Sequence, residues 1–192
     1  MHVHEHGDRL SATDRATLAT ARLRLEPVGP EHAEELWRAT EASLPELRQW
    51  MFWAGDADAS STRAFAQGAV EEWDEGSGFH FAIRDGDGLA GMIGIDVPAP
   101  ARRLGELGYW VTLDRTGRGY ATEAGTMVVR FGLRAAGLYR LELRAGVENL
   151  ASRRVAEKIG FRREGALRQG CPLIDRAYDG YLYGLLATDL AD

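Results

Sequence analysis

Residues 108–124 read Gly-Tyr-Trp-Val-Thr-Leu-Asp-Arg-Thr-Gly-Arg-Gly-Tyr-Ala-Thr-Glu-Ala, and this stretch decides the fold. Its apolar start predicts a strand that ends at Val111, its two glycines predict a tight turn, and a helix is predicted to begin at Tyr120. The first N–H groups of a helix have no partner within the helix, so those of residues 117–121 would converge on one point, with the positive end of the helix dipole behind them. This arrangement is typical of a pyrophosphate-binding loop.

The loop matches neither of two common nucleotide-binding motifs. It lacks the Gly-Lys-Ser/Thr ending of the Walker motif and the third glycine of the dinucleotide pattern. A Gly-x-Gly sequence by itself also fits a tight turn that binds nothing. Arg118 adds a positive charge to a chain in which 29 Asp and Glu outnumber 23 Lys and Arg. The net charge of −6 argues against general binding of nucleic acid, so an anion site in this chain should be local.

Length and composition predict one globular domain. The chain has 192 residues, of which 45% are hydrophobic and 27% charged. No apolar run approaches the ~20 residues of a membrane span, and the N-terminus lacks the apolar core of a secretory signal, so we expect a cytoplasmic protein that contacts no membrane. A lone cysteine, Cys171, excludes an intramolecular disulfide and a cysteine-based structural zinc site.

We interpret residues 1–21 as a flexible extension and residues 22–192 as the domain. Alternating histidines in the extension could share one side of an extended chain, but a flexible terminus does not preorganise a metal site: His2, His4 and His6. Hydrophobic periodicity in the domain predicts strands at 22–26, 79–84, 89–95, 104–111, 139–145, from 161 onward and at 178–186. It predicts helices at 31–42, 44–50, 62–73, 120–136 and 152–159. The turn at 85–88 predicts an antiparallel hairpin, and the whole pattern predicts a mixed α/β domain around one sheet.

A second motif follows the loop. Residues 149–165 read Asn-Leu-Ala-Ser-Arg-Arg-Val-Ala-Glu-Lys-Ile-Gly-Phe-Arg-Arg-Glu-Gly. In this order the two motifs resemble those of the GNAT superfamily of acyl-CoA-dependent N-acetyltransferases, whose phosphate loop reads Gln/Arg-x-x-Gly-x-Gly/Ala. The second motif is similar to that of the RimJ/RimL-like subgroup, which acetylates the N-termini of proteins, including ribosomal proteins. The resemblance spans roughly residues 21–190, and the tryptophan-rich segment 47–53 also looks like that subgroup's.

The resemblance implies a GNAT fold and an acetyl-CoA-dependent N-acetyltransferase. The implied fold has a largely antiparallel sheet of six to seven strands, a splay between the fourth and fifth strands, and about four flanking helices. The implied reaction moves an acetyl group from acetyl-CoA to a primary amine by direct attack in a ternary complex, without a metal. The expected acceptor is the α-amine of a protein or peptide N-terminus. The alternatives are a small-molecule amine or antibiotic as acceptor, or a non-catalytic sensor of acyl-CoA. Dimers are common in the superfamily, so a homodimer is also expected.

The resemblance also assigns residues to the cosubstrate. The backbone of Trp110 and Val111 would pair with the pantetheine arm at the splay, Asn149 would bond the same arm, and Ser152 would face the thioester sulfur. The residues implied at the pyrophosphate are those of the loop: Thr116, Gly117, Arg118, Gly119, Tyr120, Ala121 and Thr122. Thr116 replaces the family's Gln or Arg, which removes one side-chain contact to phosphate but no backbone donor.

The chemistry requires a proton acceptor, an oxyanion donor and a weak acid. The Val111 N–H is the expected oxyanion donor. Many members place a tyrosine acid where this chain has Ala156, so Ser152 becomes the expected acid. A helix cap after Asn149 is the alternative role for Ser152.

Three residues are candidates for the general base. We favour Glu106 on the strand that enters the loop, with a solvated carboxylate as the alternative role; His80 on the hairpin is the second candidate and Glu164 the third. Cys171 occupies the position where the subgroup can have a glutamate, and direct transfer makes an acyl-carrying cysteine unnecessary. Four side chains are expected at the acceptor: Trp50, Trp53, His80 and Tyr109.

Overall fold

A central sheet organises the part of the chain that the computed structural model describes, residues 14–190. Its strands are β1 (Leu18–Ala19), β2 (Arg24–Pro27), β3 (Gly78–Asp85), β4 (Gly88–Asp96), β5 (Leu104–Val111), β6 (Arg140–Gly146), β7 (Arg162–Pro172) and β8 (Ala177–Leu186). Their spatial order is β1-β2-β3-β4-β5-β6-β8-β7, and β5 and β6 are the parallel neighbours in an otherwise antiparallel sheet. The predicted mixed α/β fold is confirmed, and the two-residue β1 is the strand beyond the six to seven expected.

The chain enters the sheet earlier than the predicted domain start at residue 22. Leu18 and Ala19 pair with Leu25 and Arg24 of β2. The boundary itself stays a prediction, and His2, His4 and His6 lie outside the described residues. Within residues 14–190, the helices are too short or too polar to cross a membrane.

Four helices flank the described sheet: α1 (Ala33–Leu47), α2 (Ala59–Glu75), α3 (Tyr120–Arg130) and α4 (Leu150–Ile159). The prediction of two helices at 31–42 and 44–50 is wrong, because α1 runs through residue 43 and through Pro45 without a break. Buried residues recur along one face of α1 on both sides of the proline, so packing outweighs the hydrogen bond that proline removes. After Arg130 the predicted long helix continues as a π-helical turn, Phe131–Ala135.

The hydrophobic core has two parts, one on each face of the sheet, because side chains along each strand point alternately to the two faces. Ile93 and Ile95 of β4 face a large cluster covered chiefly by α3 and α4. Met92 on the same strand and Trp110 on β5 face a smaller cluster under α1 and α2. Successive side chains of a strand point to opposite faces, so His80, Gly94 and Gly108 share the α1/α2 face with this second cluster.

The sheet opens between β5 and β6, as predicted for the fourth and fifth strands. These strands pair only from Leu104–Glu106 to Arg140–Glu142. Beyond that point β5 follows β4 to Val111, while β6 follows β8 to Gly146. A gap therefore begins near the middle of the sheet, and α3 and α4 start beside it.

Candidate active site

The loop before α3 has the backbone conformation that its glycines predict. Gly117 and Gly119 have φ angles of 76° and 80°, in the left-handed region that favours glycine. A Cβ atom at Gly117 would meet no atom within 4 Å, and one at Gly119 would meet only Arg22, at 3.7 Å. The loop surface thus leaves room for a ligand at the start of an eleven-residue helix. This geometry fits a phosphate group bound by backbone N–H donors.

The side chains of the loop contribute less than its backbone. The Thr116 hydroxyl donates to the Leu113 carbonyl at 2.8 Å, which shapes the turn. The Arg118 side chain is exposed, whereas the Tyr120 ring is buried beneath the loop. Ala121 and Thr122 are half-buried in the first turn of α3. All seven residues predicted at the pyrophosphate therefore lie together.

One residue that contacts the loop, Arg22, lies outside every predicted site. Arg22 donates from Nη1 to the Arg118 carbonyl at 3.0 Å and from Nε to Glu123 Oε2 at 2.7 Å. Its guanidinium also lies 5.0 Å from the centre of the Tyr120 ring. These contacts fix the loop to the segment before β2. They join residues about a hundred positions apart, and no local pattern in the sequence indicates them.

The open edge of β5 presents the Val111 N–H, the donor predicted for the oxyanion. The Thr112 N–H donates to the Ala90 carbonyl on the β4 side at 2.9 Å. Amide directions alternate along an extended strand, so the Val111 N–H points the other way, into the gap between β5 and β6. Trp110 packs its ring under α1 and α2, which leaves the backbone at the gap.

A pair of hydroxyl groups lies at the gap. Tyr109 of β5 and Ser152 of α4 place their hydroxyl oxygens 2.9 Å apart. Asn149 Oδ1 accepts the Ser152 N–H at 3.0 Å, so Asn149 caps α4 and the Ser152 hydroxyl is left for Tyr109. Burial raises the pKa of Tyr109 to about 12, with the bond to Ser152 acting against that shift. Tyr109 is therefore neutral at physiological pH and able to donate.

A cavity of about 340 Å³ opens on the α1/α2 face, and Tyr109 is among the residues that line it. Apolar side chains form most of its wall, among them Met51, Phe65 and Met92. Three residues predicted at the acceptor line it: Trp53, His80 and Tyr109. Trp50 does not line it; its carbonyl accepts the Tyr178 hydroxyl at 2.9 Å, and the two rings pack edge to face.

The three candidate bases have different surroundings. Glu106 forms an ion pair with Arg144 and is not among the residues that line the cavity. Glu164 is bound by Arg140 at 2.5 Å, and these hydrogen bonds hold the pKa of Glu164 below its usual range. His80 is 5% exposed and lines the cavity.

Cys171 is buried on β7, away from the cavity lining. Burial raises the pKa of its thiol, which favours the unreactive protonated form. A Cβ at Gly180 would overlap with its sulfur, so the opposing strand closes over the side chain.

The comparison with known families decides the class. Residues 22–162 match the model described as "Acetyltransferase (GNAT) domain". The chain belongs to the GNAT acetyltransferase family. As a GNAT member it is an N-acetyltransferase, and the family's acyl donor is acetyl-CoA. The loop before α3 and the gap between β5 and β6 are the parts of this fold that its residues would offer to acetyl-CoA.

Named GNAT relatives match over most of the chain. The ribosomal-protein-serine acetyltransferase of Escherichia coli (strain K12) is 28% identical over 158 residues, which cover 82% of this chain and 88% of the relative. The N-acetyltransferase p20 of Bacillus licheniformis is 28% identical and covers 91% and 98%. The structure of Mycobacterium smegmatis RimJ in complex with CoA-disulfide superposes with a TM-score of 0.83, at 29% identity, covering 93% of this chain and 91% of that one.

Proposed function

We propose that this GNAT enzyme acetylates the α-amine of a protein N-terminus, as a ribosomal-protein type of acetyltransferase. The bonded pair of Tyr109 and Ser152, of which Tyr109 also lines the cavity, carries the proposal. The pair faces the thioester on one side of the gap, and the cavity receives the amine from the other. The names of the relatives support a ribosomal protein as acceptor, and we propose the cytoplasm, where ribosomal proteins are made, as its place of action.

Acetyl-CoA supplies an activated acyl group whose leaving group is a thiolate. The loop at residues 116–122 would hold its pyrophosphate, and the free backbone edge of β5 would align its pantetheine arm. The Val111 N–H donates to the carbonyl oxygen as negative charge develops there. Either hydroxyl of the Tyr109–Ser152 pair can be the donor. With Tyr109 as the donor, the proton of Ser152 would be free to reach the departing sulfur. A thiolate needs only a weak acid, because free thiols have a pKa near ~8.5.

The amino group enters from the cavity. Trp53 lies at its rim with 43% of its surface exposed, and its ring centre lies 6.5 Å from that of Trp110. A cavity of this volume admits one amino-acid side chain together with its amine rather than a long peptide. The remainder of the acceptor chain would therefore leave over the exposed rings of Trp53 and Phe52.

The test compares matched peptides with free and blocked N-termini. Each peptide carries one lysine, so that an ε-amine is present in both members of the pair. We expect acetyl-CoA-dependent acetylation of the free member only, measured by mass spectrometry together with thiol release. Acetylation of small amines but of no peptide would favour the small-molecule enzyme. Binding of acetyl-CoA without release of CoA to any amine would favour the sensor.

A further inference from the structure

We infer that His80 is the general base of the transfer, that its Nδ1 atom accepts the proton of the incoming amine, and that Glu72 is the residue that positions it. The inference rests on the proposed function and deepens it, since it names the group that prepares the amine. Glu72 lies on α2 and His80 on β3.

The first argument is the row of residues on which His80 lies. His80 pairs with Gly94 of β4, and Gly94 pairs with Gly108 of β5. A Cβ at Gly94 would overlap with His80 Nδ1, whereas one at Gly108 would meet no atom within 4 Å. The imidazole is therefore the sole side chain of this three-strand row. The two glycines leave the space in which an acceptor can approach Nδ1.

The second argument is the hydrogen bonding of the imidazole. His80 Nε2 lies 3.0 Å from Glu72 Oε2 and 3.6 Å from Asp96 Oδ1. A carboxylate accepts hydrogen bonds, so the proton of the neutral ring belongs on Nε2. Nδ1 then carries the lone pair and lies above Gly94, and His80 is one of the residues that line the cavity. A base whose other nitrogen is held by a carboxylate has a fixed tautomer and orientation.

The third argument is the charge around the site. Glu72 reaches the ring from α2 and Asp96 from β4, and Glu106 of β5 lies directly opposite Asp96. The ring of Phe65 packs edge-on at 5.1 Å. The nearby carboxylates attract a positively charged amine and stabilise the imidazolium that forms when Nδ1 takes its proton.

Glu106 is the less suitable base in this geometry. Its carboxylate is bound by Arg144 and would have to leave that partner before it could accept a proton. It also lies outside the lining of the cavity, whereas His80 is part of it. Among these two candidates, only His80 combines access to the cavity with a free acceptor atom.

The proton balance closes with these groups. An α-ammonium loses one proton to His80 Nδ1, and its freed lone pair then forms the C–N bond at the thioester carbon. The C–S bond breaks with its electrons on sulfur, which takes a proton from Ser152, and Ser152 is reprotonated through Tyr109 from water. The nitrogen gives its second proton to water as the amide forms. His80 then gives the proton that it accepted to water. The net result is one amide, one thiol and one proton released to solvent.

The kinetic test compares His80→Gln with Glu106→Gln, the variant of the rival base. Glutamine at position 80 can keep a hydrogen bond to Glu72 but cannot accept the proton. We expect His80→Gln to lower kcat/KM for the peptide by ~10²–10⁴-fold, the range typical of a lost general base, and Glu106→Gln to lower it by at least tenfold less. Affinity for CoA, measured by calorimetry, should be unchanged in both. The reverse order of the two losses would overturn the inference.

The pH dependence of kcat/KM in the variant Glu72→Gln tests the role of Glu72. A neutral glutamine removes the charge that stabilises the imidazolium, so Glu72→Gln should move the acidic limb of the kcat/KM profile to lower pH and reduce kcat. A purely structural role would reduce activity without that movement. An unmoved limb would therefore exclude Glu72 as the positioning residue.

A measurement without turnover separates this inference from the proposed function. In ¹⁵N NMR spectra of histidine-labelled enzyme at neutral pH, His80 should show the proton on Nε2 and a lone pair on Nδ1. The opposite tautomer would overturn the assignment of Nδ1, even if peptides are acetylated. If the tautomer is as expected and no amine is acetylated, the proposed function fails and the base role fails with it.

Discussion

At the scale of single residues, the bond between the hydroxyls of Tyr109 and Ser152 makes a direct prediction. Ser152→Ala removes the group that protonates the thiolate and should lower kcat about 10- to 100-fold, while CoA affinity stays within about twofold. The loss is modest because a thiolate needs little acid assistance. Steady-state kinetics and calorimetry measure the two effects. Unchanged turnover would remove Ser152 from the mechanism, and Tyr109→Phe shows how much of the effect its partner carries.

The same tyrosine links stability to pH. Burial raises the pKa of Tyr109 to about 12, above the ~10 of an unfolded tyrosine. Between these values the unfolded chain loses its proton more readily, so the free energy of unfolding should fall as pH rises from 10 towards 12. Thermal unfolding across this window should show a shallower fall for Tyr109→Phe than for the wild type. Equal slopes would contradict the assignment to Tyr109.

At the scale of the element, the loop before α3 depends on the left-handed backbone of Gly119. A β-branched residue there costs about 1–2 kcal/mol in backbone strain and turns the loop's N–H donors away from the phosphates. Gly119→Val should therefore weaken CoA binding at least tenfold in calorimetry. Gly86→Val is the matched control, because Gly86 also has free space around it but no positive φ. Tight CoA binding by Gly119→Val would refute the phosphate-binding role.

Arg22, in the segment before β2, supports the loop before α3. Arg22→Ala removes the bonds to the Arg118 carbonyl and to Glu123, so CoA affinity should fall about 3- to 10-fold. The melting temperature should change little, because an exposed ion pair contributes little to stability. Arg24→Ala, which removes an ion pair with Glu26 on β2, is the control for charge alone. Equal effects of the two substitutions on CoA affinity would contradict the role of Arg22.

At the scale of the whole molecule, the sequence was most informative where periodicity is local. The hairpin of β3 and β4, the bounds of β5 and the start of α3 follow from alternation and from glycine positions. The predicted break at residue 43 was wrong because a local pattern describes a few residues in isolation, whereas the buried face of α1 is decided by packing. The loop was predictable because its glycines and the start of α3 are consecutive in the sequence.

The remainder of the site depends on contacts between distant elements. Ser152 and Tyr109 lie 43 positions apart, and Arg22 and Arg118 lie 96 apart. His80 and Glu72 are close in the sequence, but a helix end and a turn separate them, so their contact depends on how α2 packs on β3. Sequence patterns supply residue types for such pairs, and tertiary packing supplies the geometry.

The gap beside β5 gives the molecule an unusual kind of sheet edge. Exposed strand edges normally lie at the periphery, where they invite other chains to pair and aggregate. Here an unpaired edge lies inside the sheet, between two strands that have already diverged, and a neighbouring protein cannot bring a full strand to it. Only a narrow, extended molecule with its own amide groups can complete the row of hydrogen bonds. The interrupted sheet would therefore accept a ligand of the right shape, while it excludes the protein chains that could pair with an open strand edge and aggregate.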